Sequence, residues 1–177
     1  MRVRTQDGAE ILFFVSHATG ETVGPVFRYE FERAVVEFSR DPGRIIARFS
    51  DGSGKIYGCP EDQPERKLWR SLVAVRTGEP VPCGVSAAMA QTLCVNGAQE
   101  SVAQIAAFPP DLIAVKATAD SEQVWVRGLG EVLTRGYEQG RLPSEMGTPW
   151  AKGGRTVSLR DYRQFPSGLI FPGSGTG

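Results

Sequence analysis

Residues Val26 to Phe38 read Val-Phe-Arg-Tyr-Glu-Phe-Glu-Arg-Ala-Val-Val-Glu-Phe. Phe27, Tyr29 and Phe31 alternate with Arg28, Glu30 and Glu32, the period-two pattern of a strand with one face on a core and the other in water. Past Arg33 the apolar positions become Ala34, Val36 and Phe38, a phase slip of one residue. Such a slip turns every later side chain to the opposite face unless an extra residue is absorbed, so the pattern predicts one long strand with a bulge near Glu32–Arg33. A strand with one charged face belongs to an open antiparallel sheet, not to the buried parallel sheet of a nucleotide-binding domain.

Around this stretch the first third of the chain reads as β-structure. Ile11–Val15 is an apolar run of strand length, and Gly24-Pro25 and Asp41-Pro42-Gly43 are turn signals. Ile45, Ala47 and Phe49 alternate with Ile46 and Arg48, and Asp51-Gly52-Ser53-Gly54 turns the chain into Lys55-Ile56-Tyr57 as a hairpin. Glu10 to Tyr57 is therefore expected to be a four-strand meander. A helix follows over Glu65 to Arg76, on Leu68, Leu72, Val73 and Val75, with Gly78 as its stop. Pro80-Val81-Pro82 links it to a second helix, which Ser86 caps and which runs from Ala87 to about Ala103. Its many small residues suit a close approach to a sheet, so it is expected to cover the core face. Leu112–Ala117 reads as a short strand. A third helix is expected from Ser121 or Glu122 to Glu138, stopped by Gly140, with Gly128 and Gly130 inside it. The fold expected is α+β, an open, mainly antiparallel sheet with helices packed on one face. Residues 1–172 are expected to form a single domain and 173–177 a flexible tail.

The 177 residues carry 20 basic and 20 acidic side chains, so no net field attracts nucleic acid or anionic lipid. No apolar stretch nears the ~20 residues of a membrane-spanning helix. With no signal-peptide pattern either, a cytoplasmic location without membrane or nucleic-acid partners is expected. Cys59, Cys83 and Cys94 have no Cys-x-x-Cys spacing and read as reduced, buried or half-buried thiols. A single histidine argues against zinc.

Few motifs bear chemistry. Gly128-Leu129-Gly130 follows Val124-Trp125-Val126, but Leu133 occupies the third glycine position of a dinucleotide-binding turn. Gly52-Ser53-Gly54-Lys55 lacks the earlier glycine and the Ser/Thr of a phosphate loop. His17, the only imidazole, either faces a substrate as an acid/base group or ends a strand with ordinary hydrogen bonds. Asn96 and Glu100 share a helix face, with Ser101 beside them, and either line a pocket or face solvent. Glu145 and Trp150 sit in a loop that is either a site rim or a packed tail.

Taken in order, Ser16-His17-Ala18, Gly24 to Phe38, Ala47 to Gly58, Lys67-Leu68-Trp69, Val95 to Ser101, Phe108-Pro109, Leu142 to Glu145, Trp150-Ala151 and Phe165-Pro166 resemble the C-terminal α/β domain of the glucose–fructose oxidoreductase/inositol dehydrogenase (Gfo/Idh/MocA) family. The likeness spans about Ile11 to Pro166. It implies the substrate-side and dimerisation portion of an NAD(P)-dependent oxidoreductase acting on a sugar, cyclitol or similar compound. It also implies a homodimer formed through the open sheet face. The family's N-terminal Rossmann domain, its Glu-Lys-Pro segment and its Asp-x-x-x-His segment have no counterpart here, and Phe13 stands four residues before His17. The chain alone is thus expected to hold no cofactor and to transfer no hydride, with NAD or NADP belonging to the full architecture. No catalytic residue is assigned; the substrate-lining candidates are His17, Asn96, Glu100, Glu145 and Trp150. The alternative is a stand-alone, non-enzymatic binding or oligomerisation module.

Overall fold

A computed structural model describes residues 1–117 and 121–167. In chain order its elements are strands β1 (Arg2–Arg4), β2 (Glu10–Leu12), β3 (Phe27–Phe31), β4 (Ala34–Phe38), β5 (Ile45–Phe49) and β6 (Gly54–Gly58), then helices α1 (Arg66–Thr77) and α2 (Val85–Glu100). Strands β7 (Ile113–Ala117) and β8 (Glu122–Val126) and helix α3 (Leu129–Gln139) complete the set. Every strand pair is antiparallel and the sheets are open, an α+β fold. The chain divides into two compact units, Thr22–Gly84 and, separately, Met1–Glu21 with the residues from Val85 onward.

In the Thr22–Gly84 unit, β3-β4-β5-β6 form a four-stranded meander. The long bulged strand expected over Val26–Phe38 is instead a hairpin: Phe31 pairs with Ala34 across a two-residue turn of Glu32 and Arg33. Residues directly opposite in a hairpin share a face, and these two are three apart in sequence, which mimics a one-residue slip. The sheet's bulge lies elsewhere. Ile45 pairs with Gly58 and Ile46 with Ile56, leaving Tyr57 as the extra residue. At the β5–β6 turn Gly52 has φ +84°, and Asp51 Oδ1 accepts the Ser53 N–H at 2.8 Å, closing the turn that the sequence signals.

The two faces of this sheet differ as the alternation requires. On one, Arg28 contacts Glu37 at 2.5 Å and Glu30 at 2.7 Å, and Arg48 also pairs with Glu37. On the other, Phe27 stacks on Phe38 with centroids 5.8 Å apart, and Phe38 and Ala47 are 4% and 1% exposed. Tyr29, Phe31 and Phe49 continue that aromatic face into exposed positions. Helix α1 ends at Gly78, whose φ of +75° and N–H bond to the Ala74 carbonyl make the expected stop.

In the other unit, β1 and β2 form a hairpin, so β2 belongs to a separate small sheet and not to the meander. It ends at Leu12 rather than Val15, although the Phe13 N–H still reaches the Met1 carbonyl at 2.9 Å. Helix α2 stops at Glu100, before the expected Ala103. Its buried Gly97 faces the Leu159 side chain, a close approach that a small residue permits.

The helix expected from Ser121 is half strand: Glu122–Val126 pairs with Ile113–Ala117 as β8 against β7, and only Leu129–Gln139 is helical. Val124-Trp125-Val126 is β-branched and aromatic, and pairing Trp125 opposite the buried Ala114 satisfies it better than a helix would. Gly128, at φ +74°, is therefore the turn into α3 and not an interior helix residue. Ala114, Val126, Leu129 and Tyr162 are buried in this unit. The tail expected at 173–177 lies outside the described residues.

Candidate functional site

The five candidate residues all belong to the unit that contains α2 and α3, yet no hydrogen bond or ring contact joins any two of them among the described residues. His17 is exposed just beyond β2, and Asn96 is half-buried on α2. Trp150 packs edge-on against Phe108, centroids 4.9 Å apart, so its ring is committed to packing between two loop segments.

The two carboxylates are tied to backbone. Glu100, the last residue of α2, accepts both the N–H and the hydroxyl of Ser167, the latter at 2.6 Å. The Ser167 hydroxyl foremost, then its N–H, hold the Glu100 carboxyl below its ordinary range. Tyr162 itself is pushed up, by burial first and then by the Glu100 charge. Glu100 is thus a latch fastening the C-terminal segment to α2, reached over 67 residues of chain.

Glu145 performs a similar task in the same unit. It accepts two bonds from the Arg2 guanidinium, one at 2.9 Å, and the Leu142 N–H at 2.8 Å. The Leu142 bond caps a single 3-10 turn, Pro143–Met146, while Arg141 donates to the Glu145 carbonyl. Arg2 also pairs with Glu10 at 3.2 Å, so the N-terminal hairpin is pinned to the loop after α3. The Arg2 hydrogen bond, then the Leu142 N–H, lower the Glu145 pKa.

A pH dependence follows. A carboxyl whose folded pKa is depressed stabilises the fold above its unfolded pKa, and that contribution disappears as pH falls through the folded value. Urea midpoints of the wild type should therefore decline as pH drops below the ordinary glutamate range, about 4.3. Glu145→Gln should be less stable than wild type near neutrality, with a flatter profile in that acid window. Parallel profiles for the two proteins would remove Glu145 from the balance.

Among the described residues no three of His, Cys, Asp and Glu gather as metal ligands. The cysteines are free; Cys59 and Cys94 are half-buried, while Cys83 is exposed, contrary to expectation, because it lies in the linker before α2 and not within an element.

The concavity that sequence reasoning missed lies in the Thr22–Gly84 unit. It is an open groove of about 750 Å³ between α1 and the segment after it, lined by Trp69, Val73, Arg66, Arg70, Pro80 and Pro82 among others. Its signal was available: α1 joins an apolar stripe to four basic residues and no acidic one. No protein-family model, curated protein or solved structure matches this chain.

Proposed function

We propose that these residues form the substrate-side and oligomerisation portion of an NAD(P)-dependent oxidoreductase acting on a sugar, cyclitol or similar compound. In this reading the nucleotide-binding domain is a different segment, and the chain alone does not transfer hydride. The order of motifs from Ile11 to Pro166 supports the class of reaction. The observation that carries the oligomerisation role is the aromatic face of the β3–β6 sheet, where Tyr29 is 54% and Phe31 63% exposed beside Phe49. An exposed aromatic patch on an ordered sheet is an interface in waiting. A two-fold arrangement would cover it with its own copy, forming a homodimer.

A second reading, a stand-alone binding or oligomerisation module, draws on the structural employment of Glu100 and Glu145, which leaves neither free for substrate. Two measurements separate the readings. Light scattering over a concentration series should show self-association that Phe31→Glu weakens at least tenfold; a concentration-independent monomer would remove the interface from both. Saturation-transfer NMR with myo-inositol and glucose should show contact with the chain while NAD and NADP remain unreduced. Turnover by these residues alone, or no transfer from any sugar or cyclitol tried, would overturn the oxidoreductase reading.

A further inference from the structure

Strand β3 is an edge of the meander, and its backbone groups divide into two sets. Phe31 and Ala34 close a two-residue hairpin, so they exchange both backbone bonds, and at every second position Tyr29 with Val36 and Phe27 with Phe38 do the same. The bond from the Ser50 N–H to the Arg33 carbonyl, 3.0 Å, fixes the same parity from the far side, because Arg33, Val35 and Glu37 then face β5. The N–H and C=O groups of Arg28 and Glu30 are therefore aimed out of the sheet, and among the described residues nothing bonds to them. Phe27–Phe31 holds no proline, glycine or lysine to protect such an edge.

We propose that β3 joins β3 of a second copy of this chain, antiparallel, with Tyr29 on the two-fold axis and Arg28 opposite Glu30 on either side of it. The inference rests on the homodimer proposed above and specifies how its copies meet. Only outward-aimed residues can exchange bonds across the joint, so Arg28 faces its own counterpart, Glu30 faces its own, or each faces the other. The first two registers set like charges directly opposite, which destabilises a sheet. The last sets opposite charges together on both sides of the axis.

The side chains agree with that register. On the charged face the Arg28 side chain, 46% exposed, would stand between Glu37 of its own β4, 2.5 Å away, and Glu30 of the second copy, itself 68% exposed. On the other face Tyr29 meets its counterpart and Phe31 meets Phe27 of the second copy, so each copy covers the flank of the other's aromatic row. Glu32 and Arg33, in the turn, fall opposite the uncharged Val26 and Pro25. The far edge, β6, is a poor template, since Tyr57 is bulged out of its ladder and glycine stands at both its ends. The joint therefore closes at two copies and does not propagate.

The test uses the whole chain in a Cys83→Ser background, which removes the exposed native thiol. Tyr29→Cys should be trapped as a disulfide-linked dimer on mild oxidation, because residues opposite in a non-hydrogen-bonded pair lie about 4.5 Å apart at Cα, within disulfide reach. Arg28→Cys and Glu30→Cys, each offset from its own counterpart, should stay monomeric on a non-reducing gel, and dominant cross-linking at either would overturn the register. Separately, Arg28→Glu and Glu30→Arg should each weaken self-association at least tenfold in sedimentation equilibrium. An equimolar mixture of the two variants should restore it, since every charge in the mixed pair then faces its opposite. These positions are exposed, and circular dichroism of each variant verifies the fold. Self-association that Phe31→Glu weakens, but that neither cross-links through Tyr29→Cys nor recovers on mixing, would overturn the edge joint and leave the homodimer reading standing. A concentration-independent monomer would overturn both.

Discussion

Replacing Phe38 with alanine should lower the unfolding free energy by about 3–5 kcal/mol, the range for deleting a buried aromatic ring. Phe38 is 4% exposed at the end of β4, an inner strand, where its backbone pairs with Phe27 on one side and Ile45 on the other. Its ring stacks on Phe27, which stacks in turn on Tyr29 at 4.8 Å. The substitution thus opens a cavity and removes one member of a row of three aromatic rings. The neighbouring buried position, Ala47, is too small to expand into the space. Ile56→Ala serves as the comparison: Ile56 is 59% exposed, and its loss should cost less than about 1 kcal/mol. Urea denaturation with a shared m-value measures both. If Phe38→Ala shifts the midpoint no further than Ile56→Ala, the core of this sheet lies elsewhere.

Features governed by neighbours in the chain were legible beforehand. The period-two alternation placed β5 and marked the residues of β3 and β4 as extended, though as one strand, the Asp51–Gly54 signal placed the hairpin to β6, and Gly78 marked the end of α1. What escaped depends on pairing across space. Glu32-Arg33 makes a two-residue reversal without glycine, asparagine or aspartate, so nothing local distinguishes it from a bulge. The strand Glu122–Val126 needs β7 opposite it before its alternation outweighs the helical spacing of Val126 and Leu129. The candidate site was least legible. Residue type marked Glu100 and Glu145 as chemically capable, but their partners Ser167 and Arg2 stand 67 and 143 positions away, and those partners decide that the carboxylates brace the fold. The α1 groove was missed for the opposite reason, since an amphipathic helix is ordinarily taken to be packed.

Gly136→Ala should destabilise the protein by about 1–2 kcal/mol, against the helix preference for alanine, which favours such a change by up to ~1 kcal/mol at an open interior position. The reason lies in how α3 ends. Gly140, at φ +62°, reverses the chain so that its N–H reaches the Tyr137 carbonyl at 3.4 Å and the Arg141 N–H reaches the Gly136 carbonyl at 3.0 Å. This double bond pattern satisfies the last carbonyls of the helix. It also folds the Arg141 carbonyl back over Gly136, where a β-carbon would sit 2.7 Å from that oxygen and 3.0 Å from Phe14 Cε1. The obstructing atom is backbone, so relief means loosening the cap rather than turning a side chain. Gly130, in the first turn of the same helix, supplies the control, because a β-carbon there meets nothing closer than Thr19 Cγ2 at 4.0 Å. Gly130→Ala should therefore raise stability, by at most about 1 kcal/mol. Opposite signs for the two substitutions, read as thermal midpoints, are the expected outcome. A stabilising Gly136→Ala would mean that the chain leaves α3 by a different path.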